Sequence, residues 1–312
     1  MTLVSSAPDS MIDEEIAPPS RRRKSRRSDN GAALLGIPAA AWYVFFMIGP
    51  LAAMFVISLL SWPSIIARGE FVGLDNFSRL FRDPVFWIAL KNTIIQLVIV
   101  LPIMIPTAFM AGFYLSLQPR GGRVLSVLFF TPGLISVSTK AMIFFGVLSP
   151  NGALNGLLRA IGLDQLVTAW LADPASALAC IIVVDLWSGI GYTAVLFSAR
   201  LSSVTAEVYE AAKLDGASQW RIMWRVAFPI VKDFAGVATM LQFLWTLFNS
   251  ATIVLLLTNG GPGTASTTLS FFVYEKAFVS SQVGYSQAAG VVVFAIGLAG
   301  MALIRRFIRA NY

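Results

Sequence analysis

Six apolar runs, each long enough to cross a membrane as a helix, constrain this chain more than any other feature. Hydrocarbon about 30 Å thick and a rise of about 1.5 Å per residue require about 20 apolar residues per crossing. Windows of that length fall near residues 33–60, 87–116, 124–148, 176–199, 234–258 and 285–307. In lipid every backbone N–H and C=O must be satisfied, and a run of this length does so by becoming a helix. The fold class that follows is an all-α polytopic membrane protein with six transmembrane helices. A composition of 57% hydrophobic and 12% charged residues agrees with it.

The cations set the orientation. Residues 1–30 are Ser, Pro, Asp and Glu followed by RRRKSRR at Arg21 to Arg27, too polar to bury a core and expected as a disordered basic cytoplasmic tail. They do not form a cleavable signal, because the apolar run that follows is too long and five more come after it. Arg120 and Arg123, then Arg200, Lys213, Arg221, Arg225 and Lys232, then Arg305, Arg306 and Arg309 fall on the same side as the tail. The opposite loops hold Arg68, Arg79, Arg82, Lys91, Arg159 and Lys276, so sixteen cations face six, with Lys140 inside a span. Positive loops stay inside, which predicts a multi-pass protein with both termini cytoplasmic.

The same distribution disposes of nucleic acid as a partner, since a net charge of +7 made of short loops and a tail is a topology signal. The chain has no histidine, which removes imidazole acid–base chemistry, Ser-His-Asp triads and His-ligated metals. Its one cysteine, Cys180, lies in an apolar run and excludes an internal disulfide or a Cys-rich metal cluster. No G-x-x-x-x-G-K-[ST] loop occurs, so the chain cannot hydrolyse nucleotides in the P-loop manner. No catalytic residue, cofactor or metal site is expected, and the chain is not read as an enzyme. If ATP drives transport, another chain supplies it. Pro38, Pro50, Pro102, Pro106 and Pro132 are expected to interrupt the spans, which lipid tolerates only where neighbours or water satisfy the freed carbonyls.

Between spans four and five lies a polar loop, 202–232, that reads as two short helices. Thr205 is placed to cap the first, with Glu207 in its first turn, and Gly216 to stop it with positive φ. Ser218 is placed to cap the second, which carries Trp220, Met223, Trp224 and Ala227 on one stripe and is expected to end near Pro229. Ala211 and Ala212 offer a flat patch to an approaching protein surface. A solvated connecting loop is the plain alternative.

The spacing from Glu210 and its two alanines, through Gly216, to Val226, Phe228 and Pro229 resembles the EAA loop of membrane subunits of binding-protein-dependent ABC importers. Val226 and Phe228 stand where that family more often has Ile and Leu, and Thr205 where it often has Pro. LLLTNGGPGTASTTLSFFVYEKAF, with Thr258, Gly260, Gly261 and Pro262 at its core, and GLDNFSRLFRDPVFWIALKNT from Gly73 to Thr93 resemble the outer loops of maltose-type sugar and glycerol-phosphate permeases. The resemblance implies the type I ABC importer permease fold in a bacterial inner membrane. It implies that Glu210, Ala211, Ala212, Asp215, Gly216 and Pro229 couple to an ATPase chain, which binds the ATP and Mg. It further implies two such ATPase subunits, a second non-identical permease, an extracytoplasmic substrate-binding protein, and a sugar or polyol cargo passing through half of a pathway. The first span is expected to wrap outside the other five.

For the pathway itself, Lys140 and Asp185 are charges inside spans, expensive enough to call for a function. They either pair across the bundle or line a watery cavity and bind hydroxyls. Gln242, Trp245, Thr246 and Asn249 recur at helical spacing on span five, and Tyr192 and Trp187 of span four are candidates to join them. Aromatic faces with amides suit sugar rings, while polar contacts between packed helices are the plain alternative. Two other classes stay open: a secondary transporter or channel using Lys140 and Asp185 as an ion relay, and a purely structural membrane subunit.

Overall fold

The computed structural model describes residues 29–63 and 69–309, and the side chains of 36–63 and 69–306. The basic tail through Arg27, Arg68 and the side chain of Arg309 therefore lie outside the described residues. Two units are distinguished, one ending at Pro50 and one beginning at Leu51. The first carries α1 (Asp29–Tyr43) and a widened turn, Val44–Ile48; α2 (Gly49–Ser58) has its first two residues there and the rest in the second unit. Its aromatic residues, Trp42 and Phe45 among them, are exposed, as lipid-facing side chains are.

The second unit holds a short antiparallel pair, β1 (Leu60–Ser61) and β2 (Glu70–Phe71), then α3 (Asp75–Arg82) and α4 (Pro84–Ser116). It continues with α5 (Gly122–Leu134), α6 (Val137–Leu148), α7 (Ala153–Ala160) and α8 (Ala177–Leu201). After these come α9 (Ala206–Leu214), α10 (Gln219–Ile222), α11 (Phe228–Leu257), α12 (Leu269–Tyr274) and α13 (Val283–Arg309). Six helical stretches among the described residues are long and apolar enough to cross a membrane.

Three sequence expectations need correction. Span three is not one helix over 124–148: α5 and α6 are separated at Ile135 and Ser136, and the stretch long and apolar enough to cross is Val137–Ala160. Pro132 removes one backbone donor, and Ser136 then turns extended and accepts from Thr139 N–H, so the chain restarts as a capped helix. Pro102 and Pro106 do not interrupt span two, since α4 runs through both as 33 helical residues. The second helix of the polar loop does not end at Pro229: α10, a widened turn at Met223–Ala227 and α11 follow one another without leaving helix.

Small residues draw the central helices together. α8 lies against α4 and α5. A Cβ on Gly191 of α8 would overlap the Phe129 carbonyl of α5, and one on Gly112 of α4 would come within 2.6 Å of the Ala194 oxygen. Backbones in such contact gain dispersion and exclude lipid, which is the main attraction available between helices in a bilayer. Behind them a core of Phe109, Phe113, Phe197, Leu201, Ile222 and Val231 binds the ends of α4 and α8 to the start of span five.

Candidate functional site

Asp185 on α8 is the centre of the polar interior. Gln96 Nε2 of α4 donates to its Oδ2 at 3.2 Å, Gln242 Nε2 of α11 to its Oδ1 at 3.2 Å, and Thr246 Oγ1 to its Oδ2 at 3.3 Å. One carboxylate thus ties three spans together through neutral donors. Lys140, in the first turn of α6, is not its ion-pair partner: no nitrogen–oxygen approach within 4 Å joins them among the described residues, although each lies within the other's field. Of the two readings left open by the sequence, the direct pair is not formed, and both residues line a cavity.

That cavity has a volume of about 470 Å³. Lys140, Asp185, Tyr192, Gln242 and Trp245 all line it, with Ser188 between them. Lys140 is 8% exposed and Asp185 9%, whereas Trp245 is half-exposed and presents an aromatic face. Tyr192 stacks on Phe130, ring centroids 5.5 Å apart, which fixes its ring at the wall. Asn249 borders a smaller adjoining slot with Lys140, Asp185 and Trp245. The structure therefore brings all six pathway candidates together, from spans three, four and five. Trp187 packs instead against Phe144. Gln96 and Ser188 were not picked out by the sequence pattern. A Gln inside an otherwise apolar span was the available signal for the first.

The polar loop forms as two short helices with a turn. Gly216 takes φ +74°. Ser218 Oγ accepts from Arg221 N–H, whereas Thr205 makes no side-chain cap bond although its backbone is extended. Glu210, Ala211, Asp215 and Pro229 are exposed and Ala212 is half-buried, so the patch faces outward. What pins the loop was not visible as a motif. Tyr209 packs on Phe113 of α4, and Trp224 on Phe109 and Phe228 at 5.3 and 5.5 Å. Burial pushes the Tyr209 hydroxyl above its ordinary pKa.

On the opposite side the T-G-G-P segment is held from within. Asn92 Nδ2 of α4 donates to the carbonyls of Ala265 and Thr267 at 3.0 and 2.9 Å, and Thr93 Oγ1 accepts from Leu269 N–H. Ser266 Oγ donates to Gly261 O at 2.7 Å. This loop is a folded surface anchored to span two.

Residues 92–311 match the family described as binding-protein-dependent transport system inner membrane component. The chain is 35% identical over 280 residues to the probable ABC transporter permease protein YurN of Bacillus subtilis, covering 88% of this chain and 94% of that one. It is 31% identical over 283 residues to the diacetylchitobiose uptake system permease protein NgcF of Streptomyces coelicolor, covering 87% and 80%. Among solved structures, a chain of a bacterial ABC transporter involved in import of the acidic polysaccharide alginate superposes with a TM-score of 0.79 at 21% identity, over 90% of this chain and 96% of that one.

Proposed function

The chain belongs to the binding-protein-dependent transport system inner membrane component family, and from that premise we propose that its cavity carries a sugar or related polyol. It is a multi-pass permease subunit of an ABC importer, a transport subunit rather than an enzyme. The observation that carries the cargo reading is the cavity itself. An aromatic face at Trp245, the amide of Gln242 and the charges of Lys140 and Asp185 surround about 470 Å³, a mixture that stacks on ring C–H groups and satisfies hydroxyls.

In this reading both termini and the 202–232 loop are cytoplasmic, and the exposed patch around Glu210 to Gly216 docks on an ATPase chain that binds ATP and Mg. A second, non-identical permease completes the pathway, and a substrate-binding protein delivers cargo to the outer loops. Closure of two ATPase subunits moves the loop, and the cavity alternates between the two faces. The Lys140–Asp185 ion relay is not favoured, because the family is that of binding-protein-dependent importers and Asp185 is held by three neutral donors.

The test is the assembled complex purified at native expression. The expected result is co-purification of an ATPase chain and a second permease, with Glu210→Ala abolishing cargo-stimulated ATP hydrolysis while membrane insertion stays normal. Unchanged coupling in that variant removes the loop from its assigned role.

A further inference from the structure

Beside the main cavity lies a slot of about 30 Å³ that shares Lys140, Asp185, Ser188 and Trp245 with it, and to which Gln96 and Asn249 add their walls. That is room enough for a water molecule or a hydroxyl group. Two polar groups of this wall are unspent. Asp185 accepts from Gln96, so the amide nitrogen of Gln96 must face the carboxylate and its Oε1 must lie on the other side. That Oε1 is buried and has no donor. Lys140 is 8% exposed, and its side chain makes no hydrogen bond and no ion pair within 4 Å among the described residues.

An ammonium offers donors only and an amide oxygen accepts only. A group that satisfies both accepts from one and donates to the other, which a hydroxyl does through a single atom. We propose that the slot is a hydroxyl-reading subsite: one cargo hydroxyl accepts from Lys140 Nζ and donates to Gln96 Oε1, while its ring occupies the larger cavity against Trp245. Without cargo, one water takes the same two bonds. An ionised carboxylate, sulfonate or phosphate oxygen takes the bond from Lys140 but has no proton for Gln96. The subsite therefore selects for a hydroxyl at one ring position and against an acidic group there. This rests on the reading that the cavity carries a saccharide.

The experiment uses the complete transporter with its binding protein in proteoliposomes. The probes are N,N′-diacetylchitobiose and lactose, each with its monodeoxy and monofluoro analogues. The expected result is one ring position whose deoxy analogue loses about tenfold or more in kcat/KM. The fluoro analogue at that position, which keeps an acceptor but has no proton to give, loses nearly as much. Gln96→Met shrinks the ratio between parent and analogue to about twofold, and Lys140→Met raises the parent's KM toward that of its deoxy analogue with little change in kcat. Gln96→Met also takes a donor from Asp185, so the ratio between two sugars is read, not the absolute rate. If no position is sensitive, or both variants keep the wild-type ratio, the slot holds water alone and the proposal falls while the transport reading stands. A complex that accumulates no saccharide at all overturns that underlying reading instead.

Discussion

Gly216 separates two explanations of why the polar loop carries a glycine where it turns. Its φ is +74°, its N–H donates to Lys213 O at 3.0 Å, and no heavy atom lies within 4 Å of where a Cβ would stand. Within this chain the cost of a side chain is therefore one of backbone conformation and not of volume. An ordinary L-residue held left-handed costs about 1–2 kcal/mol, which lowers the population of the correct turn about 5–30-fold. Asn tolerates this region and costs less, whereas β-branched Val costs most. The expected order of coupled activity is Gly, then Asn, then Ala, then Val. Gly216→Pro, whose φ cannot be positive and which loses the bond to Lys213, gives none. The assay is ATP hydrolysis by the assembled complex, stimulated by loaded binding protein. An order that follows size, with Ala better than Asn, would refute the backbone argument and mean that a partner surface presses on this turn.

Asp185→Ala strands three donors at once, and with bonds as long as 3.2–3.3 Å the lower end of the range applies, a loss of about 3 kcal/mol. Asp185→Asn keeps an acceptor and loses about 1 kcal/mol. Thermal unfolding of the purified complex checks this, and equal midpoints for the two variants would contradict a hub. Trp245→Ala and Asn249→Ala lower uptake without lowering assembly, and normal transport kinetics in both would take span five out of the pathway. Gly191→Val drives a side chain into the Phe129 carbonyl and costs about 1–3 kcal/mol through displacement of α5 from α8. Wild-type stability in that variant would show that the two helices do not depend on this contact.

The six crossings were legible because a bilayer reads length and apolarity, which a sequence states directly. So were the turn at Gly216 and the spacing from Glu210 to Pro229, both local properties of the chain. The pathway candidates were half legible: Trp245 and Asn249 share a helical face by arithmetic, and Lys140 and Asp185 stand out as charges in apolar runs. Which donors Asp185 would find was not legible, since Gln96 lies 89 positions away and Gln242 57, and only the packing of α4 and α11 on α8 brings them in. The break at Ile135 was half legible: Pro132 marked span three for interruption, but the apolar window ran through it as one crossing. Ser136 carried the local signal, as a cap placed three residues before Thr139.

Proline misled the sequence pattern at Pro229 for a reason the structure makes plain. A proline inside a helix leaves the carbonyl four residues back without a donor and pushes its ring against it. Here the preceding turn, Met223–Ala227, is widened, and Phe228 N–H donates to Met223 O, five residues back. The extra residue makes room for the ring, so the helix absorbs Pro229 in the first turn of α11 instead of stopping. The same device precedes Pro50, where Gly49 N–H reaches Val44 O after the widened turn Val44–Ile48. In the polar loop the consequence is mechanical. Trp224, anchored in the aromatic cluster, and Trp245, at the cavity wall, belong to one unbroken rod of 39 residues, Gln219–Leu257. They are 21 residues apart, about 30 Å at the helical rise. A hinge at Pro229 would have let the loop move while span five stood still. On the proposed coupling role, a helix that runs on through Pro229 gives the loop a continuous backbone connection to the cavity wall.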